Sequence, residues 1–94
     1  MRKGILSNGF EYEFDEANAD DMEFLDTLAV VMNDDAEDSE KLVATSKLSD
    51  MLLGREQKTR LYAHIRKDHG GRVPVAVFQK LLAEILAGGS TKNS

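Results

Sequence analysis

Residues 3–16 read "KGILSNGFEYEFDE", and the reading of this stretch separates an α+β chain from an all-helical one. Asn8-Gly9 is the pair that a two-residue type I′ turn prefers, because both central residues take positive φ. Centring the turn there predicts a β-hairpin over about residues 4–14, with Ser7 opposite Phe10, Leu6 opposite Glu11, Ile5 opposite Tyr12 and Lys3 opposite Phe14. Side chains alternate along a strand, so Ile5, Phe10, Tyr12 and Phe14 fall on one face and Glu11 and Glu13 on the other. A lone hairpin is marginal in water, and its aromatic face therefore requires a covering layer.

The rest of the chain supplies that layer as helices. In "ADDMEFLDTLAVVMND", Met22, Leu25, Leu28, Ala29 and Met32 recur at helical spacing, with Phe24 and Val31 widening the stripe. Asn18 is the expected N-cap and the following acids suit the positive end of the helix dipole, which predicts a helix over about 19–33. The polar run "NDDAEDSE" reads as a solvated loop. Beyond it, Asp38 or Ser39 caps a helix over about 39–53 that carries Leu42, Val43, Leu48, Met51 and Leu52 and is stopped or bent by Gly54. A further helix over about 55–69 aligns Leu61, Tyr62 and Ile65, and Gly70 is its expected left-handed stop. Pro74 opens the last helix, about 74–87, with Val75, Phe78, Leu81, Leu82, Ile85 and Leu86 on one broad stripe before Gly88-Gly89. The expected fold is α+β, mostly α: the hairpin packed on a bundle of about four helices. Residues 1–88 form one domain and 89–94 a disordered tail.

With 94 residues there is room for one modest core. Cysteine is absent, so disulfides and thiolate metal sites are excluded. No apolar run approaches the ~18 to 20 residues of a membrane span, and the start "MRKGILSNGF" reaches Asn-Gly too soon for a signal-peptide core. Charge is divided unevenly. Residues 1–40 carry thirteen acidic and two basic side chains, whereas residues 41–94 carry four acidic and ten basic ones. The two halves attract one another, within a chain or between chains. The overall balance of −5 disfavours nonspecific binding of nucleic acid.

Residues 62–75, "YAHIRKDHGGRVPV", hold both histidines and invite a site. His64 and His69 are five apart, however, and do not share a helix face as a zinc-binding i, i+4 pair does. "GGRVP" has neither the feeding strand nor the G-K-[ST] of a nucleotide loop. An EF-hand register fails as well: counted from Asp34, positions six and twelve are Ser39 and Thr45, and from Asp35 they are Glu40 and Ser46, where glycine and glutamate are required. There is no G-x-S-x-G and no cysteine nucleophile, and the carboxylates lie in exposed or capping positions. The residues thus point to no catalytic site, no cofactor and no metal. What remains is surplus apolar stripe, including Met22, Met32 and Met51, of the kind that oligomerises or holds a partner helix.

The ordered pieces "LSNGFEYE", "DDMEFLD", "LLGREQK" and "GRVPV" resemble a group of small proteins from phages and prophages of Gram-positive bacteria that look like tail assembly chaperones of long-tailed phages. The resemblance covers nearly the whole chain. It implies a non-catalytic protein of the host bacterial cytoplasm that binds the long helical tape-measure protein, keeps it soluble and recruits tail-tube subunits. No catalytic or mapped binding residues carry over with it. On the helical stripes, Leu48, Met51, Leu52, Leu61, Tyr62 and Ile65 are the expected partner or homo-oligomer surface. Two alternatives stand beside this reading. One is an acidic phage inhibitor that imitates DNA towards a basic host protein, and the other is a small regulatory DNA-binder that uses "REQKTRLYAHIRK".

Overall fold

The computed structural model describes residues 1–91, with side-chain surroundings for residues 1–87. The chain runs β1 (Arg2–Ile5), β2 (Glu11–Phe14), a 3-10 turn (Glu16–Ala19), α1 (Met22–Met32), α2 (Asp38–Asp68) and α3 (Val75–Thr91). It is a small α+β fold in which a two-stranded antiparallel hairpin covers one side of a helical layer.

The hairpin forms, but one residue out of the expected register: Arg2 pairs with Phe14, Lys3 with Glu13, Gly4 with Tyr12 and Ile5 with Glu11. The cause lies in the turn. Leu6 and Phe10 close a three-residue loop, with Gly9 N–H donating to the Leu6 carbonyl (2.8 Å) and Leu6 N–H to that of Phe10 (2.9 Å). Only Gly9 takes positive φ, at 89°, the left-handed third position of such a loop. Asn8 remains useful there, because its Oδ1 accepts from Phe10 N–H at 3.0 Å. A one-residue slip exchanges faces on the affected strand: Leu6, not Ile5, enters the core with Tyr12, and Ile5 is 63% exposed.

α1 starts later than expected. Asp15 caps the 3-10 turn and Asp21, not Asn18, caps α1, its side chain accepting from Glu23 N–H at 2.7 Å. Glu37 is the N-cap of α2 in place of Asp38 or Ser39, and its N–H donates to the Glu40 side chain at 3.2 Å. The expected four helices are three. The segments 39–53 and 55–69 belong to one element, α2, because helical hydrogen bonding resumes on either side of Gly54 without an intervening loop. Gly54 itself is non-helical, at φ 79° and ψ 158°, and the chain folds back there. Lys58 Nζ lies 3.1 Å from the Ser46 carbonyl and 3.2 Å from Asp50 Oδ1. In an uninterrupted helix residues 46 and 58 would be ~18 Å apart.

The second limb of α2 ends at His69, where Gly70 (φ 63°) and Gly71 (φ 87°) turn the chain and Gly71 N–H returns to the Arg66 carbonyl at 3.0 Å, a Schellman-type closure. The Pro74 carbonyl accepts the first helical bond of α3 from Phe78. α3 continues through Gly88-Gly89 to Thr91, past the expected stop. Glycine lowers helix propensity by ~1 kcal/mol, which an already nucleated helix tolerates. Of the expected tail 89–94, residues 92–94 lie outside the described residues.

Leu6 and Tyr12 from the hairpin, Phe24 from α1, Leu48, Leu52, Leu53, Leu61 and Ile65 from α2, and Phe78, Leu81, Leu82 and Ile85 from α3 meet in one core.

Candidate functional site

The helical stripe expected to face a partner is the interior of the domain. Leu48 and Leu61 have no exposed surface, Leu52 and Ile65 have almost none, and Met51 and Tyr62 are half-buried against them. The fold-back at Gly54 turns the apolar faces of the two α2 limbs towards each other and towards α3, so these six side chains hold the domain together. Tyr62 meets Phe78 edge-on at 5.2 Å, and Lys58 lies over the Tyr62 ring while bonding across to the first limb.

The histidines part company in space as well as in sequence. His64 Nε2–H donates to the Asn8 carbonyl at 2.9 Å, and its ring meets Phe10 edge-on. It holds the hairpin turn on the second limb of α2. His69 closes that helix at the surface. Two further ties fix the hairpin. Ser7 N–H and Oγ both donate to the Glu84 carboxylate on α3, at 2.8 and 2.7 Å. Gln57 meets the outer edge of β2, accepting from Glu13 N–H at 2.8 Å and donating to the Glu13 carbonyl at 2.7 Å. The histidine-and-arginine stretch therefore acts on the hairpin and the α2–α3 turn. Among the described residues no group of three or more His, Cys, Asp or Glu side chains is placed to hold a metal ion, and no helix is long and apolar enough to cross a membrane.

Apolar surface lies elsewhere. α1 buries Phe24 and Thr27 with Leu28 and Val31 partly covered, which leaves Met22, Leu25 and Met32 exposed. Half of its expected core stripe thus faces outward. A groove of about 870 Å³ lies between α1, the first limb of α2 and α3. Its floor is Leu82 and Thr45, both buried, and its rim includes Met32 (71% exposed), Val75 (52%), Leu42 (43%) and Leu86 (39%). A second trough shares Leu28 and Leu86 with the first and continues past Leu25 towards the start of α1. The sequence signal was present in the surplus of apolar positions on α1, but periodicity alone does not say which side of a wide stripe is covered.

The groove itself is lined by one carboxylate and one cation, Asp38 and Lys41. Residues 15–38 hold ten carboxylates and no Lys, Arg or His. Ion pairs engage two of them, Glu16 with Arg2 and Glu23 with Lys47. Of the five ion pairs among the described residues, Glu23–Lys47, at 3.2 Å, is the one that joins residues 1–40 to residues 41–94. The charge division is therefore mostly left on the surface. No family model, curated protein or solved structure matches the chain.

Proposed function

We propose that this chain is a non-catalytic tail assembly chaperone of a long-tailed phage or prophage, acting in the host cytoplasm to hold the tape-measure protein soluble and to assist recruitment of tail-tube subunits. The observation that carries the proposal is the open apolar groove between α1, α2 and α3, considered with the resemblance in "LSNGFEYE", "DDMEFLD", "LLGREQK" and "GRVPV". A long helical client with exposed apolar faces needs a surface that covers them reversibly and carries charge for solubility. Co-expression with a tape-measure protein of a long-tailed phage tests the reading: co-purification and a larger soluble fraction are expected. Unchanged solubility with no co-purification would sink it.

A second reading, an acidic inhibitor that imitates DNA, draws on the ten carboxylates of residues 15–38. Imitation of a phosphate backbone calls for continuous charge, whereas exposed Met22, Leu25 and Met32 interrupt this surface. Strongly salt-dependent capture of a basic DNA-binding host protein, with no effect on the tape measure, would favour it.

A further inference from the structure

We infer that the outer edge of β1 pairs with the same edge of a second copy of this chain, antiparallel, with Lys3 opposite Ile5 of the second copy and Gly4 on the two-fold axis. This contact requires neither the chaperone reading nor the groove.

The two edges of the hairpin differ. Gln57 bonds both the N–H and the carbonyl of Glu13, so these groups point away from β1, and Glu13 meets Lys3 at a non-hydrogen-bonded position of the ladder. The same alternation turns the N–H and carbonyl of Lys3 and of Ile5 away from β2, while Gly4 faces Tyr12 at the bonded position between them. Among the described residues no hydrogen bond reaches those outward groups of Lys3 and Ile5. Both residues are exposed, Ile5 to 63%. β2 is thus capped by a side chain of its own chain, whereas β1 ends in an open row of donors and acceptors that extended backbone completes.

The residues along that row select the occupant and the register. In an antiparallel self-pair, outward-pointing residues meet outward-pointing residues. Lys3 against Lys3 sets like charges directly opposite, which is unfavourable. Ile5 against Ile5 brings Ser7 to Lys3, and the Ser7 N–H is already given to Glu84. Lys3 against Ile5 avoids both: each residue donates to and accepts from its counterpart, and the two-fold axis repeats the exchange. Gly4 then meets Gly4 at the close, non-bonded position, where neither has a side chain to hold the strands apart. On the outer face the two Ile5 side chains become diagonal neighbours. The two lysines also lie on a diagonal, each with Glu13 of its own hairpin beside it at 4.0 Å.

This pairing closes on itself. A two-fold contact consumes the β1 edge of both copies, and Gln57 occupies the two β2 edges that remain, so the four-stranded sheet takes no further strand. A contact between four-residue strands is small beside the ~1,200 Å² of stable complexes, and the dimer is correspondingly weak.

The test uses the full chain. Light scattering is expected to show the mean mass rising from monomer towards dimer between about 10 µM and 1 mM. Over the same range amide hydrogen exchange is expected to slow at Lys3 and Ile5 by at least ~3-fold, and less at Gly4, which already bonds within the hairpin. Ile5→Lys sets a cation opposite Lys3 of the second copy but opposite Glu11 within its own hairpin. It is expected to weaken the dimer by at least ~10-fold, with an unchanged thermal midpoint in dilute solution. Adding Lys3→Glu to Ile5→Lys restores opposite charges across the axis in this register alone and is expected to recover the dimer. A monomer throughout the concentration range would overturn the inference and leave the edge to a strand of another protein. So would a dimer whose Lys3 and Ile5 amides exchange as in dilute solution, a folded Ile5→Lys variant that dimerises like wild type, or a double variant that stays monomeric.

Discussion

Gly4 and Tyr12 show how tightly the hairpin face is built. They are paired across the strands, and a methyl group on Gly4 would stand 2.5 Å from the Tyr12 hydroxyl oxygen and 2.7 Å from its ring carbon Cζ. Tyr12 is buried and stacks on Phe14 with ring centroids 6.4 Å apart, so it has little room to retreat. Gly4→Ala is expected to lower the unfolding free energy by about 1–3 kcal/mol in urea titrations, the usual cost of overpacking; an unchanged midpoint would mean that the ring swings clear. Burial also raises the Tyr12 hydroxyl above its ordinary pKa of 10.0, with the Arg2 charge opposing the shift and Glu84 adding to it. The folded state then holds this proton more tightly than the unfolded chain. Its contribution to stability is complete below about pH 10 and is lost as pH rises through the raised folded value. Tyr12→Phe is expected to flatten the alkaline part of the stability profile while leaving its neutral part close to wild type, and a slope identical to wild type would contradict the assignment.

Among the elements, α2 depends most on a single residue. At Gly54 the backbone sits in a region that only glycine occupies without strain, although an added Cβ would meet nothing within 4 Å. Gly54→Ala is therefore expected to cost about 1–3 kcal/mol from backbone conformation alone. It also biases residues 38–68 towards one straight helix, with limbs exchanged between two chains. Size-exclusion chromatography with light scattering is expected to show an increased dimer fraction; a monomer of wild-type stability would remove the argument. The two hinges were not equally legible in the sequence. Gly54 and Gly70 announce themselves because a left-handed residue is needed wherever a helix stops abruptly. The hairpin register does not. Asn-Gly serves a two-residue turn and the end of a three-residue turn alike, and Ile5-Leu6 offers an apolar side chain to either face. Only docking on the helices, through His64, Gln57 and Glu84, distinguishes the two arrangements.

In the whole molecule, core and groove are two sides of the same helices. Phe78 is 6% exposed and packed against Tyr62, one turn from the groove wall. Phe78→Ala is expected to cost about 3–5 kcal/mol by thermal or urea unfolding. A loss below about 1 kcal/mol would show that the site collapses around the missing ring. The stripe Leu48, Met51, Leu52, Leu61, Tyr62 and Ile65 was legible as apolar, but its destination was not. A hydrophobic stripe specifies that something covers it, and cover from another limb of the same chain looks identical in sequence to cover from a partner. By itself the sequence determined the α+β character, the breaks at Gly54 and Gly70, the absence of thiol chemistry and the division of charge, because each follows from local backbone preference or from composition. Tertiary structure alone decided the hairpin register, which stripes became core, and which apolar residues were left around an open groove. Those outcomes depend on the fold-back at Gly54 and on how the hairpin, α1 and α3 meet α2, contacts between segments far apart in the chain that no local window contains.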